Sequence, residues 1–214
     1  MRTRTFLPIV MCSILFAASC AAQFLYQNGN PNGTVDAWTI NFGYVVSDSF
    51  TVSGYGTATG FDIWVWEFPG DRTLTMDWSI TSQEFGGTTY GMGTVTVTDA
   101  FLSVNQYGYD IDKLSVYNEF YVNLSSGTYW LNLQNATTLQ GNPLYWDENS
   151  GPSQASESAL GTIPSEAFDL TTCYCCGEHN GPDCGPPQTP EPGTVLLLGS
   201  GLVGLAGALR RKVL

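Results

Sequence analysis

The side chains best suited to chemistry fall into four groups. Asp110-x-Asp112 and Asp147-Glu148-Asn149 gather carboxylates and an amide in stretches that read as loops. These are the hard oxygen donors that calcium takes, so Asp110, Asp112, Asp147 and Glu148 are candidate calcium ligands, although neither run has the spacing of an EF-hand loop and acidic loops are often simply solvated. Tyr121, Asn123, Trp130, Asn132 and Gln134 fall on one face of an expected hairpin, and Trp146 sits in the similar run Tyr145-Trp146-Asp147-Glu148-Asn149. Rings that stack on pyranose faces beside amides that bond hydroxyls are the chemistry of carbohydrate modules. These six residues are therefore candidate sugar contacts. The competing reading is a covered Trp130, since tryptophan is highly buried on average.

Cys173, Cys175, Cys176 and Cys184 crowd together with His179. Zinc would accept such ligands, but its sites favour Cys-x2-Cys pairs, and an even cysteine set in an exported chain favours disulfides. Catalysis finds little to use. His179 is the single histidine and lies in that Cys-rich segment, away from the packed structure a nucleophilic triad needs. Glu67 with Asp71, or Asp147 with Glu148, are carboxylate pairs without a spacing that marks a glycosidase. No catalytic residue is assigned, and the chain reads as non-enzymatic.

The elements that must position these groups are strands. Trp38, Ile40 and Phe42 alternate with polar residues, as do Leu74, Met76, Trp78 and Ile80, and Thr94 to Thr98 alternates threonine with valine. Residues 61–68 are apolar on both faces, the pattern of a central strand covered on two sides. Glu119 to Leu124 and Thr128 to Gln134 flank Ser125-Ser126-Gly127 and read as a hairpin. It would turn Phe120, Val122, Leu124, Tyr129, Leu131 and Leu133 inward. Gly and Asn clusters punctuate the runs, and no helical stripe appears between the two ends. The expected fold is all-β: an antiparallel β-sandwich or jelly-roll-like domain over residues 23–172, with about eight strands. Residues 173–189 lose periodicity and gain Gly and Pro, as a linker would.

Charge narrows the partners. Residues 23–189 hold Arg72 and Lys113 against 18 Asp and Glu, a formal charge of −16. Phosphate backbones and anionic headgroups are bound through Lys and Arg, so nucleic acid is excluded as a partner. Disorder is the other reading of an acidic chain, but all six tryptophans lie between residues 24 and 174 and supply apolar area to bury.

Both ends are apolar. Arg2 and Arg4 precede an apolar stretch from Phe6 to Phe16 and the small residues Ala17-Ala18-Ser19-Cys20-Ala21-Ala22. That order is a signal peptide, 1–22, cleaved after Ala22; acylation of Cys20 is the alternative. At the other end Pro190-Glu191-Pro192 is followed by an apolar, glycine-containing run from Val195 to Leu209 and then Arg210-Arg211-Lys212. A helix over about 194–210 would be short for a spanning segment, and its basic end would stay cytoplasmic. A plain membrane anchor is the simpler alternative.

In that order, these last residues resemble the PEP-CTERM sorting signal. The resemblance covers residues 190–214. It implies recognition and processing by exosortase, a membrane-embedded transpeptidase, with transient residence in the inner membrane and delivery to the cell surface or an exopolysaccharide matrix. The expected function is a structural or interaction role there. A carbohydrate-binding module for exopolysaccharide is the alternative and a secreted glycan hydrolase the third reading. No cofactor is expected apart from the candidate calcium.

Overall fold

The computed structural model describes residues 23–172. The expected signal peptide at 1–22, the expected cysteine-rich linker at 173–189 and the tail at 190–214, with its expected helix, lie outside the described residues. Within them the chain is all-β, and every strand pairing is antiparallel.

One sheet has seven strands: β1 (Gln23–Gln27), β2 (Ala37–Thr39), β5 (Gly60–Glu67), β8 (Thr98–Val104), β9 (Asp110–Val116), β12 (Tyr145–Asp147) and β15 (Phe168–Thr172). A second has six: β3 (Val45–Val52), β6 (Thr73–Gln83), β7 (Gly86–Thr96), β11 (Gly127–Thr138), β13 (Ala155–Glu157) and β14 (Gly161–Ile163). A small ribbon joins β4 (Gly56–Ala58) to β10 (Val122–Leu124).

β5 is the centre of the first sheet. One edge pairs with β9 along its length; the other is shared by β15 near its start and β12 near its end. Phe61, Ile63 and Val65 enter the core, and the opposite face is also covered. There Tyr107 and Tyr109 pack on Trp66, and Lys113 lies over Trp64 while bonding Asp62 at 2.8 Å. The continuous apolar run at 61–68 is therefore a central strand covered by long side chains rather than by a third sheet.

In the second sheet β11 lies between β3 and β6, with Leu131 opposite both Asp48 and Ile80. Period-two alternation sends Tyr129, Leu131 and Leu133 inward beside Val46, Phe50, Met76, Trp78 and Ile80. The two sheets share this single apolar core. The chain crosses from one to the other at Val97, between β7 and β8, so one long alternating stretch serves both. Such crossings, and several three-residue strands, raise the strand count among the described residues to fifteen where the punctuation suggested about eight.

The expected hairpin is corrected. Phe120, Val122, Leu124, Tyr129, Leu131 and Leu133 are all buried, but β10 pairs with β4 while β11 pairs with β3 and β6. Ser125-Ser126-Gly127 is thus a passage between sheets. Inward alternation constrains a strand's face and leaves its partner open.

Candidate functional site

The long β6–β7 hairpin folds its tip back over the outer face of the second sheet. Phe85 N donates to Asn132 Oδ1 at 3.0 Å, and Asn132 Nδ2 donates to Thr81 Oγ1 at 2.8 Å. Asn132 is thereby buried and fully engaged with protein. Beside this tip opens a groove of about 890 Å³, lined by Gln83, Glu84, Trp130, Gln154, Ser156 and Thr162 among others. Trp130 is half-buried, with its ring at the groove wall. The Ser156 hydroxyl donates to Glu84 and holds that carboxylate in the groove lining. One aromatic ring among amides and hydroxyls can hold a neutral, hydroxyl-rich ligand.

The other candidate sugar contacts do not gather around Trp130. Gln134 is half-buried farther along β11. Tyr121, 54 % exposed, adjoins the β4–β10 ribbon, where Asn123 accepts a bond from Thr57 at 2.7 Å. Trp146 is 0 % exposed, and its Nε1–H donates to Ala167 O at 2.8 Å. Trp146 therefore has no face open to a ligand, which corrects its place among the candidates; Asn132 is corrected likewise, because its bonds are spent on Thr81 and Phe85.

The candidate calcium ligands separate too. Asp147 lies in β12, not in a loop, and is buried. It accepts bonds from Trp66 Nε1 at 2.6 Å and from Gly33 N, which burial and a raised carboxyl at about 6 make a structural junction. Glu148 follows it and forms a backbone bridge to Glu166. Asp110 and Asp112 lie in β9. Asp110 accepts a bond from Gly70 N at 2.9 Å, whereas Asp112 faces inward and joins Glu67 of β5 and Asp99 of β8. The three offer carboxylate oxygens within 4.8 Å of one another. Burial pushes Glu67 up to about 7 against the Thr73 hydrogen bond, with Asp99, Asp112 and Asp71 adding to the rise. Burial also pushes Asp112 up to about 7, followed by the charges of Asp99 and Asp110.

Sequence reading missed Glu67 and Asp99 as partners of Asp112. They come from three strands, and only the pairing of β5 with β9 and of β9 with β8 brings them together. The available signal was weak: a single carboxylate, Glu67, at the inward end of an otherwise apolar alternation. A third polar group lies inside the core. Asp48 extends from β3 among Val46 and Phe50, and its Oδ2 accepts bonds from Glu166 N at 2.7 Å and Asn28 Nδ2 at 3.3 Å.

The four cysteines and the residues of the sorting motif, Pro190, Glu191, Pro192, Arg210, Arg211 and Lys212, lie outside the described residues. No curated protein matches the chain. Residues 188–212 match the family model of the PEP-CTERM protein-sorting motif, and the chain is thereby marked as an exported protein sorted by exosortase.

Proposed function

We propose that this is a non-enzymatic protein of the cell surface or extracellular matrix, whose β-sandwich binds exopolysaccharide through the groove at Trp130. The observation that carries the reading is a half-buried tryptophan lining a groove rich in amide and hydroxyl side chains. Two antiparallel sheets around one core support the sandwich description, and the sorting motif supports delivery to a compartment where polysaccharide is available. Strongly acidic surfaces bind anionic polymers poorly, so neutral polysaccharides are the favoured class. Among the described residues Glu84 is the one carboxylate lining the groove, and hydrolysis of the two-carboxylate kind needs a facing pair. That supports binding over cleavage.

The test is retention of the mature protein on polysaccharide isolated from its host, measured by affinity electrophoresis. Trp130→Ala is expected to weaken retention roughly tenfold, about 1.4 kcal/mol. Tyr121→Ala, on the distant ribbon, is expected to leave it unchanged. Full retention by Trp130→Ala would remove the proposal's basis, and release of reducing sugar would replace it with the hydrolase.

A further inference from the structure

The carboxylates of Glu67, Asp99 and Asp112 stand at the end of the first sheet, on its core-facing side. β5 sends Val65 and then Glu67 to that side; β9 places Asp112 opposite Val65; β8 places Asp99 opposite Leu114. Hydrogen bonding accounts for only part of the oxygen set. Thr73 Oγ1 donates to Glu67 Oε1, and Thr73 N donates to Asp99 Oδ2 at 3.1 Å. Glu67 Oε2 and Asp112 Oδ1 are shielded from solvent and accept no hydrogen bond among the described residues. Their residues are 1 % and 4 % exposed, so bulk solvent does not reach those oxygens. A solvated acidic loop would show neither feature.

Two buried carboxylate oxygens without a donor, on residues of a three-acid cluster, carry a large electrostatic cost unless bound protons or a cation neutralise them. The surrounding charges do not supply it. Asp71 and Asp110 add negative charge, and the nearby cation Arg72 acts on Asp99, at the rim. We propose that Glu67, Asp99 and Asp112 are the protein ligands of a calcium ion that ties β8 to β5 across β9.

The donor chemistry selects the metal. Oxygen atoms at the usual calcium distance of about 2.3–2.6 Å from one ion stand up to about 5 Å apart, which accommodates the observed spread. Magnesium requires a tighter octahedron of about 2.0–2.1 Å and retains most of its waters, so a dry, all-carboxylate inner face suits it poorly. Zinc prefers nitrogen and sulfur, and the cluster offers neither. Three carboxylates leave coordination positions for water on the Asp99 side, where β8 is exposed. An exported module with this ligand set is expected to bind with a Kd of roughly 10⁻⁴–10⁻³ M. The consequence is mechanical. β8 has β9 as its strand partner, and an ion shared with Glu67 gives it a second tether to the central strand.

The experiment is calcium titration of the chelator-treated mature protein by isothermal calorimetry, with hydrogen exchange of residues 98–104 followed in parallel. One calcium per chain is expected, with exchange across β8 slowed roughly tenfold on binding. Asp99→Asn, at the rim, is expected to abolish the heat and the protection while leaving the domain folded. Glu119→Gln, an exposed acid elsewhere, should change neither. Magnesium in place of calcium is expected to bind at least about tenfold more weakly. Absence of calcium uptake, as when the carboxyls share protons instead, would overturn the assignment. So would uptake unaffected by Asp99→Asn, or equal affinity for magnesium.

Discussion

Trp130 and Trp146 carry the same indole into opposite surroundings, and the difference sets what each substitution should do. Trp146 lies against Phe168 with ring centroids 5.7 Å apart and bonds Ala167 O, wholly within the core. Trp146→Ala removes a large buried ring and leaves a cavity between the sheets, so urea unfolding should show a loss of about 3–5 kcal/mol. Trp130→Ala, at the groove wall, should shift the same transition by much less. A stability loss of similar size in both would contradict the division between core and site. Alternation along β11 made the outward placement of Trp130 legible from the sequence. Trp146 misled because Tyr145, Asp147, Glu148 and Asn149 around it look like surface. Their polar atoms instead bond inward: Asp147 to Trp66 and Gly33, and Asn149 Nδ2 to Asn28 O at 2.8 Å. A buried polar network has the composition of an exposed loop and only its geometry tells them apart.

Among the elements, β5 was the most legible, because an apolar run on both faces has few placements other than the middle of a sheet. Its neighbours were not. β9, β12 and β15 are separated from β5 by tens of residues, and strands that distant leave no local mark of their pairing. The cation cluster inherits that illegibility, since Asp112 stood out beside Asp110 while Glu67 and Asp99 needed the register to join it. The β5–β9 contact also explains a residue that composition alone treats as punctuation. Gly60 opens β5 where the Val116 carbonyl comes so close that an added Cβ would collide with backbone. Gly60→Ala should therefore destabilise the domain by about 1–3 kcal/mol, read as a lower urea midpoint, because backbone on both strands must give way. Gly54→Ala, at an open position in the same Gly-rich segment, is the matched control and should stay near the parent midpoint.

For the whole molecule, the acidic excess of the composition extends into the interior, and this determines how stability responds to pH. Asp48 is completely buried, and burial pushes its carboxyl from the ordinary value of 3.8 to about 7, against hydrogen bonds from the Glu166 amide, Ser153 and Ser49. Glu166 is raised well above its usual range by burial and then by the charges of Asp48, Glu148, Asp147 and Asp36. The groups facing Asp48 from other elements are Asn28, Glu166 and Tyr26, whose phenol is held up at about 12 first by burial and then by Asp48 itself. No cation offsets the pair through a described salt bridge, since the one such bridge joins Lys113 to Asp62. A carboxyl raised in the folded state binds its proton more tightly there than in the unfolded chain. Its stabilising contribution is full below the unfolded value near 4 and is lost as pH rises through about 7. The domain should therefore unfold at higher urea at pH 5 than at pH 8, the reverse of proteins whose carboxylates are salt-bridged. Asp48 alone accounts for about 3 kcal/mol of that difference at most, from the two pH units between 5 and its raised value. Asp48→Asn keeps the side chain's shape and an oxygen for the Glu166 amide while removing the titration, so the fall between pH 5 and pH 8 should flatten in the variant. Equilibrium urea unfolding at the two pH values, with chelator present throughout so that no divalent ion contributes, measures it directly. A parent protein more stable at pH 8, or a variant with an unchanged slope, would show that Asp48 enters the fold as a charged group.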